Sequence, residues 1–188
     1  MRKHIFTLAL AIMLPVAILA QTWKNDPAHS RMGFAISHTL ISEMGGVFND
    51  YAINITASQT DFSDAAIEVI VQTKSIDTEV VQRDDHLRSP DFFDVAKFPE
   101  MRFKSNGVKQ VDGNTFLVSG ELTLHGISKP VDLTMVHNGS YTKDGKTISG
   151  ITVTGSILRS DFDFGSKFPI AVIGDKVTIT VNTEMKQQ

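Results

Sequence analysis

The sequence predicts an all-β fold, an antiparallel barrel of about eight strands with one short helical insertion. Three observations predict it. Apolar and polar residues alternate with period two along most of the chain, the signature of half-buried strands. Turn chemistry of the Asp-Gly kind separates the alternating runs. A charged, phenylalanine-rich segment near the middle breaks the alternation and reads as helix. A meander with one apolar face must hide that face, and closing into a barrel does so while removing exposed edges.

The chain begins with a segment that does not belong to this pattern. Met1-Arg2-Lys3-His4 is basic, Ile5 to Leu14 is apolar, Pro15 breaks the run, and Ala20 is a small residue suited to cleavage. This is the layout of a secretory signal peptide over residues 1–20, and it is short for a membrane span. The expected product is a free exported domain, 21–188, without a stable membrane anchor, in a bacterial periplasm or secreted. Losing Arg2 and Lys3 takes the formal charge from −3 to −5. A mildly acidic domain is poorly suited to nucleic acid or anionic membranes. With no Cys in the chain, disulfides, thiolate metal sites, thiol catalysis and a lipoprotein anchor are excluded.

The strands follow in order. Met32, Phe34 and Ile36 alternate with Arg31, Gly33, Ala35 and Ser37. Tyr51, Ile53 and Ile55 form the next face, and Ile67, Val69 and Val71 another. A strand is expected near Met101–Asn106. Phe116, Val118, Leu122 and Leu124 share a face, followed by Val131, Leu133 and Met135, then Ile151, Val153 and Ile157, then Val177, Ile179 and Val181. Asp112-Gly113-Asn114 and Lys143-Asp144-Gly145-Lys146 read as hairpin turns, and Gly126 with Pro130 and Gly174-Asp175 mark others. Gly33, Gly120 and Gly155 lie inside strands, where Gly often marks a bulge.

The helical exception spans 77–95. Thr78 is placed to cap a helix over 79–88, with Val80, Arg83, His86 and Leu87 on one face. Ser89-Pro90 ends it, because the residue before Pro avoids helical dihedrals. Asp91 to Val95 reads as a further short turn capped by Ser89. This segment sets Arg83, Asp84, Asp85, Arg88 and Asp91 beside Phe92, Phe93, Phe98 and Phe103. Such a mixture suits a cover over an apolar cavity that also meets a polar group at its mouth. The alternative is that these phenylalanines plug a core beneath a helical lid.

Catalytic and metal signatures are absent. Beyond the first segment, His29, His38, His86, His125 and His137 show no metal-ligand spacing, and there is no HExxH. No nucleophile elbow, phosphate loop or dinucleotide fingerprint exists. Asp163-Phe164-Gly165 matches a kinase triplet without its partner motifs. No metal or cofactor is expected, and the chain is read as no enzyme. Arg83 with Asp84 is open to two readings, a head-group clamp or a surface ion pair worth ~0–1 kcal/mol.

Several blocks together resemble one family. Trp23 to Ser30 with Phe34 and His38, Gly46-Val47-Phe48, Arg83 to Asp94 with Phe98-Pro99-Glu100, and Gly120 to Gly126 with Lys129-Pro130-Val131 are similar to YceI-like proteins. So are Arg159-Ser160-Asp161-Phe162 and Ile173 to Val177. The run Asp161-Phe162-Asp163-Phe164-Gly165 departs from the pattern by two added residues. The resemblance covers 22–185. It implies an extended lipocalin-like barrel, usually exported and often dimeric, that binds a polyisoprenoid or similar long-chain lipid. It also implies roles in transport or storage of isoprenoid quinones and in stress responses.

The candidate ligand-binding residues follow from pattern and resemblance together. Met32, Phe34, Ile36, Phe48, Phe92, Phe93, Phe103, Leu122, Leu124 and Met135 are assigned to an apolar tail. His38, Arg83, Asp84 and His86 are assigned to a head group. Two other readings stand beside lipid binding. One is an enzyme on isoprenoid or quinone substrates with His38 or His86 as base. The other is a stress or interaction protein whose barrel is filled by its own side chains, since barrels of this size are either hollow or plugged.

Overall fold

A computed structural model describes residues 20–188. The predicted signal peptide, apart from Ala20, lies outside the described residues. Among the described residues there are ten strands: β1 (Gln21–His38), β2 (Ser42–Phe48), β3 (Tyr51–Ala57), β4 (Ala66–Gln72), β5 (Ile76–Asp77), β6 (Glu100–Asp112), β7 (Thr115–Leu124), β8 (Ile127–Lys143), β9 (Lys146–Leu158) and β10 (Ile173–Gln187). An α-helix, α1 (Val81–Arg88), follows β5, and short 3-10 turns lie at Thr73–Ser75 and Arg159–Phe162.

The strands close a lipocalin-like antiparallel barrel of eight walls. The circuit runs β1-β10-β9-β8-β7-β6-β4-β3 and back to β1. β2 extends the β3 wall past a corner at Asn49–Asp50, and β5 extends the β4 wall. Closure leaves no long free edge, which is how an all-β chain avoids edge-to-edge association. Cross-strand pairs such as Phe34 with Ile179 and Phe116 with Met135 set apolar side chains on one face. A one-residue slip would turn them all outward, so this face fixes the register.

All eight expected strands are present, most of them longer than their alternating cores. Asp144 and Gly145 both take positive φ between the paired Lys143 and Lys146, the backbone a two-residue hairpin loop needs. Other local expectations are corrected. The register shifts fall at Asn25/Ser30, Ile36/His38, Ser105/Gly107, Gln110/Asp112 and His137/Gly139, so Gly120, paired with Ser105, lies at a bulge as expected, and Gly33 and Gly155 do not. Gly120 also makes room for a ring, since a Cβ there would collide with Phe103 Cζ. Gly174 and Pro130 sit inside strands rather than at turns.

Thr78 does not cap the helix. Glu79 takes φ 67° and Val80 is extended, so the helix starts at Val81, and Val80 is exposed rather than on a shared helical face. Ser89 does end it, with φ −72° and ψ 169°. Arg88 pins the helix to the barrel through Lys74 O (2.9 Å) and Ile76 O (2.7 Å).

Packing is densest at the barrel end where β1 begins. Trp23, Phe62, Phe116, Met135 and Met185 are almost wholly buried there. Phe62 comes from the β3–β4 loop and meets Trp23 edge-on at 5.1 Å. That loop is tied down by Asp64, which accepts from Ser58 and Gln59, and by Ser149, which donates to Thr60 O at 3.0 Å. The barrel is therefore plugged at this end by its own chain.

Candidate functional site

Above the plug the barrel is hollow. A cavity of about 560 Å³ fills the half nearer His38, within the usual range for ligand pockets. Its walls come from all around the barrel and its floor from Ile55, Met135 and Ile151. One feature of burial depends on this space. Phe34, Leu122, Leu133, Val153, Ile157 and Ile179 point inward yet are only half-buried, because they face the cavity instead of another side chain.

Phenylalanines surround the mouth. Phe34 meets Phe48 (5.6 Å), Phe48 meets Phe93 (5.7 Å), and Phe93 meets Phe164 (4.5 Å). Phe92 stacks on Phe168 at 4.9 Å with planes only 10° apart. His86 stands edge-on to both, at 5.1 and 5.6 Å. Offset and edge-on contacts of this kind stabilise by ~0.5–1.5 kcal/mol each beyond burial.

Of the residues assigned to the tail, all line the cavity: Met32, Phe34, Ile36, Phe48, Phe92, Phe93, Phe103, Leu122, Leu124 and Met135. Of those assigned to the head group, His38, Arg83 and His86 line it and Asp84 does not. Asp84 is buried behind the helix, where its Oδ1 accepts from Thr78 N–H (2.9 Å) and Thr78 hydroxyl (2.5 Å). Asp84 therefore shapes the turn into α1, and it forms no ion pair with Arg83 among the described residues.

Arg83 grips the same threonine from the other side. Its Nε donates to Thr78 Oγ1 (2.7 Å) and its Nη2 to Thr78 O (2.6 Å). Nη1 has only Met44 sulfur, at 3.9 Å. N–H groups on Nη1 and Nη2 remain unused by the protein, on a guanidinium held rigidly at the cavity wall. His38 is exposed at the rim, near Thr39 Oγ1 at 3.4 Å. His86 Nε2 lies 3.3 Å from Asp91 Oδ2. Lys167 and then His86 hold the Asp91 carboxyl below the usual range.

The sequence reading missed the other wall of the mouth. Arg159 is 4% exposed and spends its guanidinium entirely on backbone carbonyls. It donates to Gly174 O (3.0 Å), Phe164 O (3.1 Å), Gly165 O (2.8 Å), Phe168 O (2.7 Å) and Ile173 O (2.9 Å). This arginine holds the loop carrying Phe164, Phe168 and Val172 against the cavity. The signal was present as Phe162, Phe164 and Phe168 in one short run, the same aromatic density that marked the helical insertion.

The histidines do not converge. His125 packs on Phe98 (4.7 Å), and His137 bonds Ser140 and Ser149 at the plugged end. Among the described residues, Asp26, His29 and Glu184 are grouped closely enough to hold a cation. Lys186 already pairs with one of its two carboxylates, with Nζ 2.6 Å from Asp26 Oδ2.

The family model of the YceI-like domain matches residues 23–185. Protein YceI of Salmonella newport is 32% identical over 194 residues, covering 100% of both chains. The crystal structure of a Campylobacter jejuni YCEI protein superposes with a TM-score of 0.75 at 30% identity, covering 79% of this chain and 87% of that one. A polyisoprenoid binding domain from Saccharophagus degradans, implicated in plant cell wall breakdown, superposes with a TM-score of 0.65 at 17% identity, covering 89% and 99%. That last likeness is one of fold.

Proposed function

This chain belongs to the YceI-like family, and from that premise we propose that it is a non-catalytic binding protein holding a long-chain lipid, a polyisoprenoid or similar molecule, inside its barrel. One observation carries the reading. The inward residues are half-exposed around about 560 Å³ of space instead of closing on one another. Leaving apolar area open inside a barrel forgoes ~25 cal/mol per Å². An apolar chain filling the space recovers that, and the binding domain with the same fold supports the class of ligand.

In this proposal the tail lies along Phe34, Phe103, Leu122 and Met135, and the head group meets Arg83, His38 and His86 at the rim. An isoprenoid quinone, with a long apolar tail and a compact polar ring, fits the same division. Export, through the segment ending near Ala20, and transport or storage of the lipid complete the reading. Catalysis draws no support from the site. Among the described residues the His38 ring has a hydrogen-bond contact only with the neighbouring Thr39 hydroxyl, at a long 3.4 Å, and His86 is engaged by Asp91, so neither is set up as a base by a supporting acid and nucleophile.

The test is native mass spectrometry with lipid extraction on protein from its own host. The expected result is a co-purifying long-chain lipid, lost in a folded Phe34→Arg variant because an unpaired charge then occupies apolar space. Circular dichroism establishes that the variant keeps its strands. A folded Phe34→Arg protein that carries the same lipid would place the binding site elsewhere.

A further inference from the structure

At the end of the barrel away from the plug, the cavity is bordered by the α1 segment and by two loops. The β1–β2 hairpin turns at Thr39, Leu40 and Ile41, and the loop before β10 runs beside it. Thr39 N–H donates to Val172 O at 2.9 Å, and His38 pairs with Ile173. Together these loops raise Leu40, Ile41, Ile170 and Val172 into solvent, 73%, 88%, 57% and 41% exposed. The first three do not line the cavity and touch nothing that explains them.

The backbone makes this choice of residues more telling. Thr39 and Leu40 take φ of 50° and 62°, the left-handed region. Asn or Gly would sit there without strain, and a bulky side chain is unusual. The hairpin therefore carries a strained leucine that is also exposed, against both local stability and solubility, and such outliers persist where function holds them. Charge points the same way. The chain has 21 Asp and Glu, yet Ile36–Ser42 and Phe164–Gly174 contain none. Their basic groups are His38 and Lys167, and Asp91 beside them is paired to Lys167 at 2.5 Å. The loop tips themselves carry no acid, and the acids next to them in sequence are Glu43, Asp163 and Asp175 at their bases.

We propose that this lip is a docking surface for a lipid bilayer, through which the cavity exchanges its ligand. Leu40, Ile41 and Ile170 insert among acyl chains, and the mouth then opens directly onto the membrane. A long-chain lipid has negligible solubility in water, so an opening that seals against the bilayer lets it pass without crossing water. The inference rests on the lipid-binding reading above, and its test separates the two.

Purified protein is floated with vesicles of phosphatidylcholine, uncharged so that they do not repel an acidic domain. Chain binding is followed separately with a fluorescent polyene fatty acid. The Leu40→Asn, Ile41→Asn variant relieves the backbone strain, so its urea midpoint should not fall. It should lose vesicle binding by about tenfold or more, since interfacial binding scales with inserted apolar area. Fatty-acid affinity should be unchanged, because neither residue lines the cavity. Ile170→Asp, on the facing loop, should give the same pattern. Vesicle binding that survives these changes overturns the lip. So does a protein that ignores vesicles but forms a dimer the Asn variant breaks, which would make the lip a self-interface. Wild-type protein that floats through the lip but binds no fatty acid would instead retire the lipid cavity and leave the docking surface standing.

Discussion

The two ends of the barrel share the same strands and use aromatic side chains in opposite ways. At the closed end, Trp23 and Phe62 are 1% and 0% exposed and fill the space between strands with interlocking rings. At the open end, Phe34, Phe164 and Phe168 ring a space that no protein atom fills. The loops differ in kind as well. The β3–β4 loop folds inward and drives Phe62 into the barrel. The loop before β10 folds along the rim and is held there by Arg159 through five backbone carbonyls. The difference shows that an apolar interior pattern does not by itself say whether a barrel is full. What decides it is whether a connecting loop supplies a residue to the middle.

The largest expected effect tests that division directly. Phe62→Ala should cost about 3–5 kcal/mol, the usual range for removing a fully buried ring that leaves a cavity behind. Phe168→Ala, at the rim, should cost about 1 kcal/mol and weaken long-chain ligands instead. Urea denaturation reads the first quantity and ligand titration the second. If the two substitutions destabilise equally, the mouth is a core like the plug and the comparison fails.

A second test contrasts the two arginines of the mouth. Arg83 keeps unused N–H groups at the cavity wall, whereas the guanidinium of Arg159 is committed to the protein. Arg83→Ala should weaken ligands with polar heads relative to plain chains of equal length. A charge-assisted hydrogen bond contributes roughly 1.5–3 kcal/mol, about a tenfold to hundredfold change in affinity. Arg159→Lys should lower stability, since a point charge cannot serve a fork of carbonyls, and should weaken both ligand types alike. Equal loss for both ligands with Arg83→Ala would make Arg83 a brace for Thr78 and nothing more.

Legibility in the sequence divides along the same line. The eight wall strands and their inward face were readable because period two is a local signal, and closure followed from having one face to bury, whereas the short β2 and β5 carry too little alternation to be read. The apolar lining followed with it, so Met32 through Met135 reach the cavity. Asp84 was misassigned because helix adjacency says nothing about which side of Thr78 each neighbour takes. The start of α1 was misplaced because φ 67° at Glu79 has no signature in its side chain. The plug was invisible for a tertiary reason. Phe62 lies in a polar loop, Asp61-Phe62-Ser63-Asp64, and only closure of the barrel brings Ser149 and Trp23 to it.

The smallest expected effect concerns an ionic clasp between the first and last strands, towards the closed end. The stretch Asp26–His29 bulges opposite Glu184, and Asp26 turns its carboxylate onto Lys186, at 2.6 Å, and His29, also at 2.6 Å. Lys186 first, then His29, lower the Asp26 pKa from 3.8 to about 2. A depressed carboxylate stabilises the fold fully above its unfolded value, and that share is lost as pH falls from about 4 towards about 2. The pair is partly solvated, since Lys186 is 44% exposed, so the contribution should be about 1 kcal/mol. Urea midpoints measured down this range should fall for the wild type and fall less for Asp26→Asn, which has no proton to take up. Asp91 at the mouth is the matched control. Its carboxyl is also lowered, by Lys167 first, but the pair lies in solvent, so Asp91→Asn should leave the acid slope nearly unchanged. If instead Asp91→Asn flattens the slope and Asp26→Asn does not, acid acts on the barrel through its mouth.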